Sequence, residues 1–316
     1  MTTAPLSGVF TALVTPIDAS GGIDLEAFDR VIDFVTDRGI QGIVIGGGTG
    51  EYPHFDVPDR LTVAAHAVRR MNGRGRVITC VGTSSIHSTL RLARGAADTG
   101  SDAILIPMPY FFRYEQEDLA AFCESVARSV SIDCLLYNLP SFTNPLQPDT
   151  AIYLLRAVPN LVGMKDSSGD TDNLKALAAA PNRRDFSLFV GDDSLLLPAL
   201  QAGWDGVVSG IGCFFPELIS EVYRAHRAEE HARAAACQTM LDELIEEVVR
   251  LPIPWGVRVG LAARGVDNGP LHLPLSAGRS RSIEQYRVWL ERWAASRGLD
   301  LRGVWTSIPA AEAARS

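Results

Sequence analysis

The chain has 316 residues, 47% hydrophobic and 21% charged, an ordinary globular composition with room for a barrel of about 250 residues and an extension. A formal net charge of −8 without a Lys/Arg-rich run argues against a nucleic-acid partner. No apolar stretch approaches the roughly 20 residues of a membrane span, and Met1 to Ser7 lack the basic start and apolar core of a signal peptide, so the reading is a cytoplasmic protein. Cys80, Cys123, Cys134, Cys213 and Cys237 are scattered and never spaced as CxxC, and the six histidines show no HxxxH pattern. That usage reads as small buried hydrophobes and gives no metal site.

In chain order, short β-rich runs alternate with amphipathic stretches. Strands are expected at 9–14, 42–45, 77–81, 103–106, 134–137, 161–165, 187–190 and 206–209. Helices are expected near 24–38, 57–71, 85–98, 116–129, 148–157, 172–179, 194–202 and 216–232. Eight such units with buried-type strands suit a closed (β/α)8 TIM barrel. A doubly wound open sheet would carry a Gly-rich turn after its first strand, where this chain has Val14-Thr15-Pro16. Further helical patterning at 233–250, 253–264 and 281–296 is interrupted by Pro252, Pro254 and the loop from Asn268 to Gly278. The expected organisation is a barrel with the active site at 1–232, a C-terminal helical extension at 233–303 and a poorly ordered tail at 304–316.

Of the 29 lysines and arginines only Lys165 and Lys175 are lysine. Arginine serves wherever a positive charge is merely wanted, but it cannot condense with a carbonyl as lysine can. Lys175, on a polar helix, reads as a solvated cation. Lys165 closes the apolar run Leu161-Val162-Gly163-Met164, a poor place for a solvated charge. Two readings stay open on position alone: a nucleophile, or a buried ion pair with Asp166 or another carboxylate.

Active sites of such barrels lie at the C-terminal strand ends. Gly46-Gly47-Gly48-Thr49-Gly50-Glu51 follows the second strand, and Pro107-Met108-Pro109-Tyr110-Phe111-Phe112 the fourth. The fifth ends in Tyr137-Asn138-Leu139-Pro140, the sixth in Lys165-Asp166-Ser167-Ser168-Gly169-Asp170 and the seventh in Gly191-Asp192-Asp193. Glycines at 46–50 let backbone N–H groups face an anion, and Thr49 adds a hydroxyl. No Gly-Lys-Ser/Thr follows, so this is not a phosphate P-loop. Tyr137 reads either as a proton relay beside Lys165 or as an aromatic packed at the barrel mouth.

Together these residues resemble the dihydrodipicolinate synthase/N-acetylneuraminate lyase family of pyruvate-dependent class I aldolases. Gly-Gly-Thr-Gly-Glu at 47–51 is similar to its pyruvate-carboxylate loop, Tyr137-Asn138-Leu139-Pro140 to its tyrosine motif, and residues 163–170 to its Schiff-base lysine motif. The resemblance implies an imine between Lys165 and pyruvate or another 2-oxo acid, with no metal or organic cofactor. It implies that Thr49 and the N–H groups of Gly48 and Thr49 hold the carboxylate, and that Tyr137 shuttles protons. It also implies a homotetramer built as a dimer of dimers.

Three departures separate the chain from members that make dihydrodipicolinate. Gly48 replaces the first of two threonines, Phe111 a tyrosine lent by a neighbouring subunit, and Phe142 the arginine for aspartate semialdehyde. The expected activity is therefore a lyase that cleaves or makes a 2-oxo-3-deoxy acid, with pyruvate as one product and an aldehyde or sugar acid as the other partner. The alternative is a 2-oxo-3-deoxy-sugar-acid dehydratase, similar to the branch acting on keto-deoxy-glucarate, using the same imine. Dihydrodipicolinate synthesis and a non-catalytic 2-oxo-acid sensor rank below these. Ser167, Gly191, Asp193 and Val208 correspond to substrate-contacting positions of the family. Tyr110, Phe111, Phe142, Arg113 and His54 are further pocket candidates, the last two as readers of a distal polar group.

Overall fold

The computed structural model describes residues 6–181, 183–303 and 305. Eight parallel strands pair in chain order and close on themselves: β1 (Gly8–Ala12), β2 (Gly42–Ile45), β3 (Arg76–Cys80), β4 (Ala103–Pro107), β5 (Asp133–Asn138), β6 (Leu161–Asp166), β7 (Ser187–Val190) and β8 (Gly206–Ser209). The ring of helices comprises α1 (Leu25–Thr36), α2 (Val57–Met71), α3 (Ile86–Asp98), α4 (Gln116–Ala127), α5 (Pro148–Ala157), α6 (Thr171–Ala178), α7 (Leu196–Gln201) and α8 (Pro216–Arg227). This is the (β/α)8 barrel expected from the alternation.

Successive strand residues point to opposite faces, so each strand feeds two cores. Phe10, Ala12, Val44, Ile78, Cys80, Leu105, Leu135, Tyr137, Phe189 and Val208 fill the barrel interior. Their neighbours Val9, Ile43, Ile45, Val77, Ile104, Leu136, Met164, Leu188 and Val207 pack outward among helix residues such as Phe28, Ala64, Leu92, Leu119 and Leu218. Both faces being dry, the strands read as nearly continuous apolar runs. The apolar run at 9–14 outlasts its strand, which stops at Ala12, because Leu13 and Val14 are buried without continuing the regular pairing. All five cysteines are free and buried.

Beyond α8 come α9 (His231–Val248), α10 (Trp255–Ala263) and α11 (Ala277–Ser296), the C-terminal helical extension. α11 starts four residues before the expected 281, because the Ser276 side chain caps it by accepting from the Arg279 N–H at 3.2 Å. α9 is tied to the barrel mouth by buried Gln238, whose Oε1 accepts from Leu197 N at 3.0 Å while its Nε2 donates to the Asp193 carbonyl at 3.1 Å. Apart from Trp305, which stacks on Phe215 with ring centroids 4.7 Å apart, the tail expected at 304–316 lies outside the described residues. Among the described residues no helix is long and apolar enough to cross a membrane.

Candidate active site

β5 and β6 run in register, with Tyr137 opposite Lys165 and Asn138 opposite Asp166. The second pair faces outward and is locked: Asn138 Nδ2 donates to Asp166 Oδ1 at 2.8 Å, and Asn138 Oδ1 accepts from Leu146 N at 3.0 Å. Asp166 Oδ2 also accepts from Ser168 Oγ at 2.8 Å, which shapes the turn after β6. Burial raises the Asp166 carboxyl above its ordinary range, and these donors oppose that rise. Fixing the outward pair fixes the inward one.

Lys165 is consequently buried, and its Nζ donates to Tyr137 Oη at 3.3 Å. The ammonium also lies 4.4 Å from the Tyr137 ring centroid. Among the described residues Lys165 forms no ion pair within 4 Å: Asp166 points to the other face of the strand and spends its oxygens on Asn138 and Ser168, and Asp193 across the cavity feels the charge without pairing with it. The buried-ion-pair reading is thereby overturned. Lys175, by contrast, is a surface cation 3.3 Å from Asp172.

Around Lys165 lies a cavity of about 280 Å³ lined by Gly48, Thr49, Tyr137, Ser167, Gly191 and Asp193 at the strand ends, with Phe142 at its rim. A Cβ built at Gly48 would stand 3.9 Å from Tyr137 Oη, so the loop after β2 approaches the phenol directly. Gly46 holds φ +61 and Glu51 φ +54, which turns the loop back on itself. The N–H groups of Gly48 and Thr49 donate to no protein acceptor among the described residues. A Cβ at Gly191 would overlap Lys165 Cε and Ser167 Oγ, so only glycine leaves the lysine arm its channel. Replacing Gly191 with alanine should cut the rate of pyruvate adduct formation at Lys165 by about tenfold or more, measured by timed borohydride quenching.

Two buried oxygens near the lysine, Ser167 Oγ and Asp193 Oδ1, have no hydrogen-bond partner among the described residues. Burial pushes the Asp193 carboxyl up to about 6, opposed by the Ser209 hydroxyl, by the Ile211 N–H that donates to its Oδ2 at 3.1 Å, and by the charge of Lys165. Other expected site residues lie elsewhere. Val208 packs within the interior cluster and does not line the cavity, because its inward side chain meets Phe10 and Phe189. Tyr110 packs edge-on against Tyr52, and His54 stacks on His272 with ring centroids 4.3 Å apart. Phe111, at φ +81 and 87% exposed, and exposed Arg113 stand on the loop after β4 outside the cavity lining. Among the described residues no cluster of His, Cys, Asp and Glu is arranged to hold a metal ion.

One supporting residue left no sequence signal. Arg258 on α10 is buried and donates from Nη1 to Glu51 Oε2 at 3.0 Å and from Nε to Asn268 Oδ1 at 3.0 Å. It thus braces the loop carrying Gly48 and Thr49 from the extension, across 207 positions of sequence. Burial raises the Glu51 carboxyl even with Arg258 beside it. Arg258→Met should lower stability by about 3–5 kcal/mol, since the buried Glu51 carboxylate loses its guanidinium and keeps only His272 Nε2, 3.7 Å away. The sign with pH follows: Glu51 titrates higher folded than unfolded, so its penalty is absent below the unfolded carboxylate pKa and grows as pH rises. Urea unfolding should therefore show a larger deficit at pH 7 than at pH 4.

The geometry finds its counterpart among known proteins. Residues 5–291 match the Dihydrodipicolinate synthetase family. The chain belongs to that family. Its members are pyruvate-dependent lyases of the class I aldolase type, and so is this protein. A 4-hydroxy-tetrahydrodipicolinate synthase of Bacillus subtilis is 32% identical over 269 residues, covering 84% of this chain and 92% of its own. One of Nitrosospira multiformis is 33% identical, covering 95% and 99%. Among solved structures, dihydrodipicolinate synthase of Aquifex aeolicus superposes with a TM-score of 0.86 at 29% identity, covering 91% of this chain and 98% of that one. The chloride-inhibited enzyme of Acinetobacter baumannii, solved with pyruvate, gives 0.85 at 29% identity, covering 93% and 99%.

Proposed function

We propose that this family member is a Schiff-base lyase that takes pyruvate on Lys165 and makes or cleaves a 4-hydroxy-2-oxo acid. The observation that carries the reading is the buried Lys165 Nζ beside Tyr137 Oη, in a cavity shared with Gly48 and Thr49. Pyruvate's carboxylate docks on the Thr49 hydroxyl and the free N–H groups of Gly48 and Thr49. The amine attacks the ketone, Tyr137 relays the proton that lets water leave, and the iminium acidifies the adjacent carbon, whose C–H proton passes to Tyr137 as the C–H pair becomes the enamine double bond. The resulting enamine adds to an aldehyde, or forms when a bound 4-hydroxy-2-oxo acid releases one. The carboxylate-binding loop, the lysine and the relay are held together by the strand ends before substrate arrives, which is how positioning lowers the barrier. The family likeness also supports a homotetramer, which light scattering in solution would check.

The two relatives above carry the name 4-hydroxy-tetrahydrodipicolinate synthase and favour that activity, whereas three positions of this chain support a different second substrate. Gly48 offers no hydroxyl to Tyr137, and Phe142 lines the cavity at the position where the family resemblance implies an arginine in members that make dihydrodipicolinate. A second reading, the dehydratase, draws support from Asp193: a carboxyl at about 6 can protonate a departing hydroxyl, and its free Oδ1 can hold one. Incubation with pyruvate, borohydride reduction and mass spectrometry test the shared step. A stable adduct on Lys165 is expected, whereas none, or one on Lys175, would sink the proposal. Pyruvate release from 4-hydroxy-2-oxo acids then favours the lyase, and loss of water without pyruvate release favours the dehydratase.

A further inference from the structure

The wall that the C-terminal extension contributes to the cavity consists of Ile245, Val248, Val249, Ile253 and Val257, and Phe142 faces the same space from the loop after β5. Val249, Ile253 and Phe142 are 62%, 59% and 61% exposed, so three large apolar side chains stand open to solvent at one mouth. Apolar side chains gathered in this way mark a surface that something apolar covers. The charged residues lining the cavity are Lys165, Asp192 and Asp193. Lys165 becomes the iminium and offsets the carboxylate of pyruvate itself. A second carboxylate on the partner would meet two acidic side chains and find no cation. Arg258, the nearest buried guanidinium of the extension, is already committed to Glu51 and Asn268.

The buried unpartnered polar atoms of the lining lie at the lysine end, while Ser141 beside Phe142 and Asp192, already bonded to Ser194, are further polar members of the lining. Ser167 Oγ and Asp193 Oδ1 are buried and unpartnered, enough for the one hydroxyl that an aldol step creates next to the new bond. A polyhydroxylated chain reaching along the wall of the extension would lay its hydroxyls against valine and isoleucine, with Ser141 the one hydroxyl opposite, and each unpaired group would cost about 1–3 kcal/mol. From this division of the cavity we infer that the carbonyl partner is an aldehyde with an apolar aliphatic or aryl substituent and no second carboxylate. The inference rests on the lysine-imine reading above. In the condensing direction the enamine carbon bonds to the aldehyde carbon, whose C=O π pair becomes an alkoxide and takes a proton. Water then hydrolyses the iminium and releases a 4-hydroxy-2-oxo acid bearing the apolar group. In the cleaving direction the same bonds break in reverse, and no oxidant or reductant enters.

The test supplies pyruvate with benzaldehyde, 3-methylbutanal, glyceraldehyde or succinic semialdehyde, and borohydride trapping runs in parallel. Benzaldehyde or 3-methylbutanal should exceed both polar aldehydes in kcat/KM by about a hundredfold, the discrimination an apolar wall gives against polar groups that it leaves unpaired. Val249→Arg, a change at an exposed position, should lower that ratio at least about tenfold while pyruvate is still trapped on Lys165. A trapped pyruvate with either polar aldehyde preferred, with no condensation of the apolar ones, or with the ratio unmoved in Val249→Arg overturns the inference and leaves the imine standing. Absence of the pyruvate adduct overturns the underlying reading and the inference with it.

Discussion

Lys165→Arg should abolish pyruvate trapping and reduce turnover on the order of 10⁴-fold or more, because the covalent route disappears with the amine. The guanidinium keeps the positive charge and can still attract a carboxylate, so the substitution separates charge from nucleophilicity. Lys165 has little room, since its Cε closely approaches the backbone at Gly191, and arginine could disturb the turn after β7. Lys165→Met, of similar length and without a charge, serves as the second variant. Both should lose the adduct while retaining the far-ultraviolet circular dichroism of the parent. An adduct surviving in either would relocate the chemistry to another group.

Tyr137→Phe should slow turnover by about 10²–10⁴-fold while still permitting slow trapping of pyruvate. The phenyl ring keeps its place in the interior cluster, and only the hydroxyl 3.3 Å from Lys165 Nζ is lost. Gly48 makes the effect larger than it would be beside a second hydroxyl: a Cβ built there would stand 3.9 Å from Tyr137 Oη, and glycine has no side chain that could substitute as relay. An unchanged turnover would remove the relay role and reduce Tyr137 to packing. Partial recovery in Tyr137→Phe/Gly48→Thr would indicate that a threonine hydroxyl can occupy the same path.

The barrel was legible because its signal is local and repeated. A strand buried on both faces writes itself as a short apolar run, and eight such runs separated by amphipathic stretches leave few architectures. The polar rim was legible for the same reason, since strand ends place Gly48, Thr49, Tyr137, Lys165 and Gly191 without reference to distant residues. Boundaries were less secure wherever burial and pairing diverge, as at Leu13 and Val14, or where a single capping serine starts a helix, as at Ser276.

By itself, the sequence determined the fold class and singled out the lysine whose position lacked an ordinary use. It left Asp166 as a possible counterion, because adjacent residues on a strand look like partners in one dimension and face opposite ways in three. Only the tertiary structure decided that Asp166 serves Asn138 and Ser168, while Lys165 turns inward to Tyr137. Only it moved His54 onto His272, put Val208 inside the barrel and brought Arg258 beneath Glu51. The apolar wall from α9, α10 and the link between them was equally hidden. Helical periodicity shows that a face is apolar, but not whether it covers a core or a substrate, and that choice is made by packing between segments far apart in the chain.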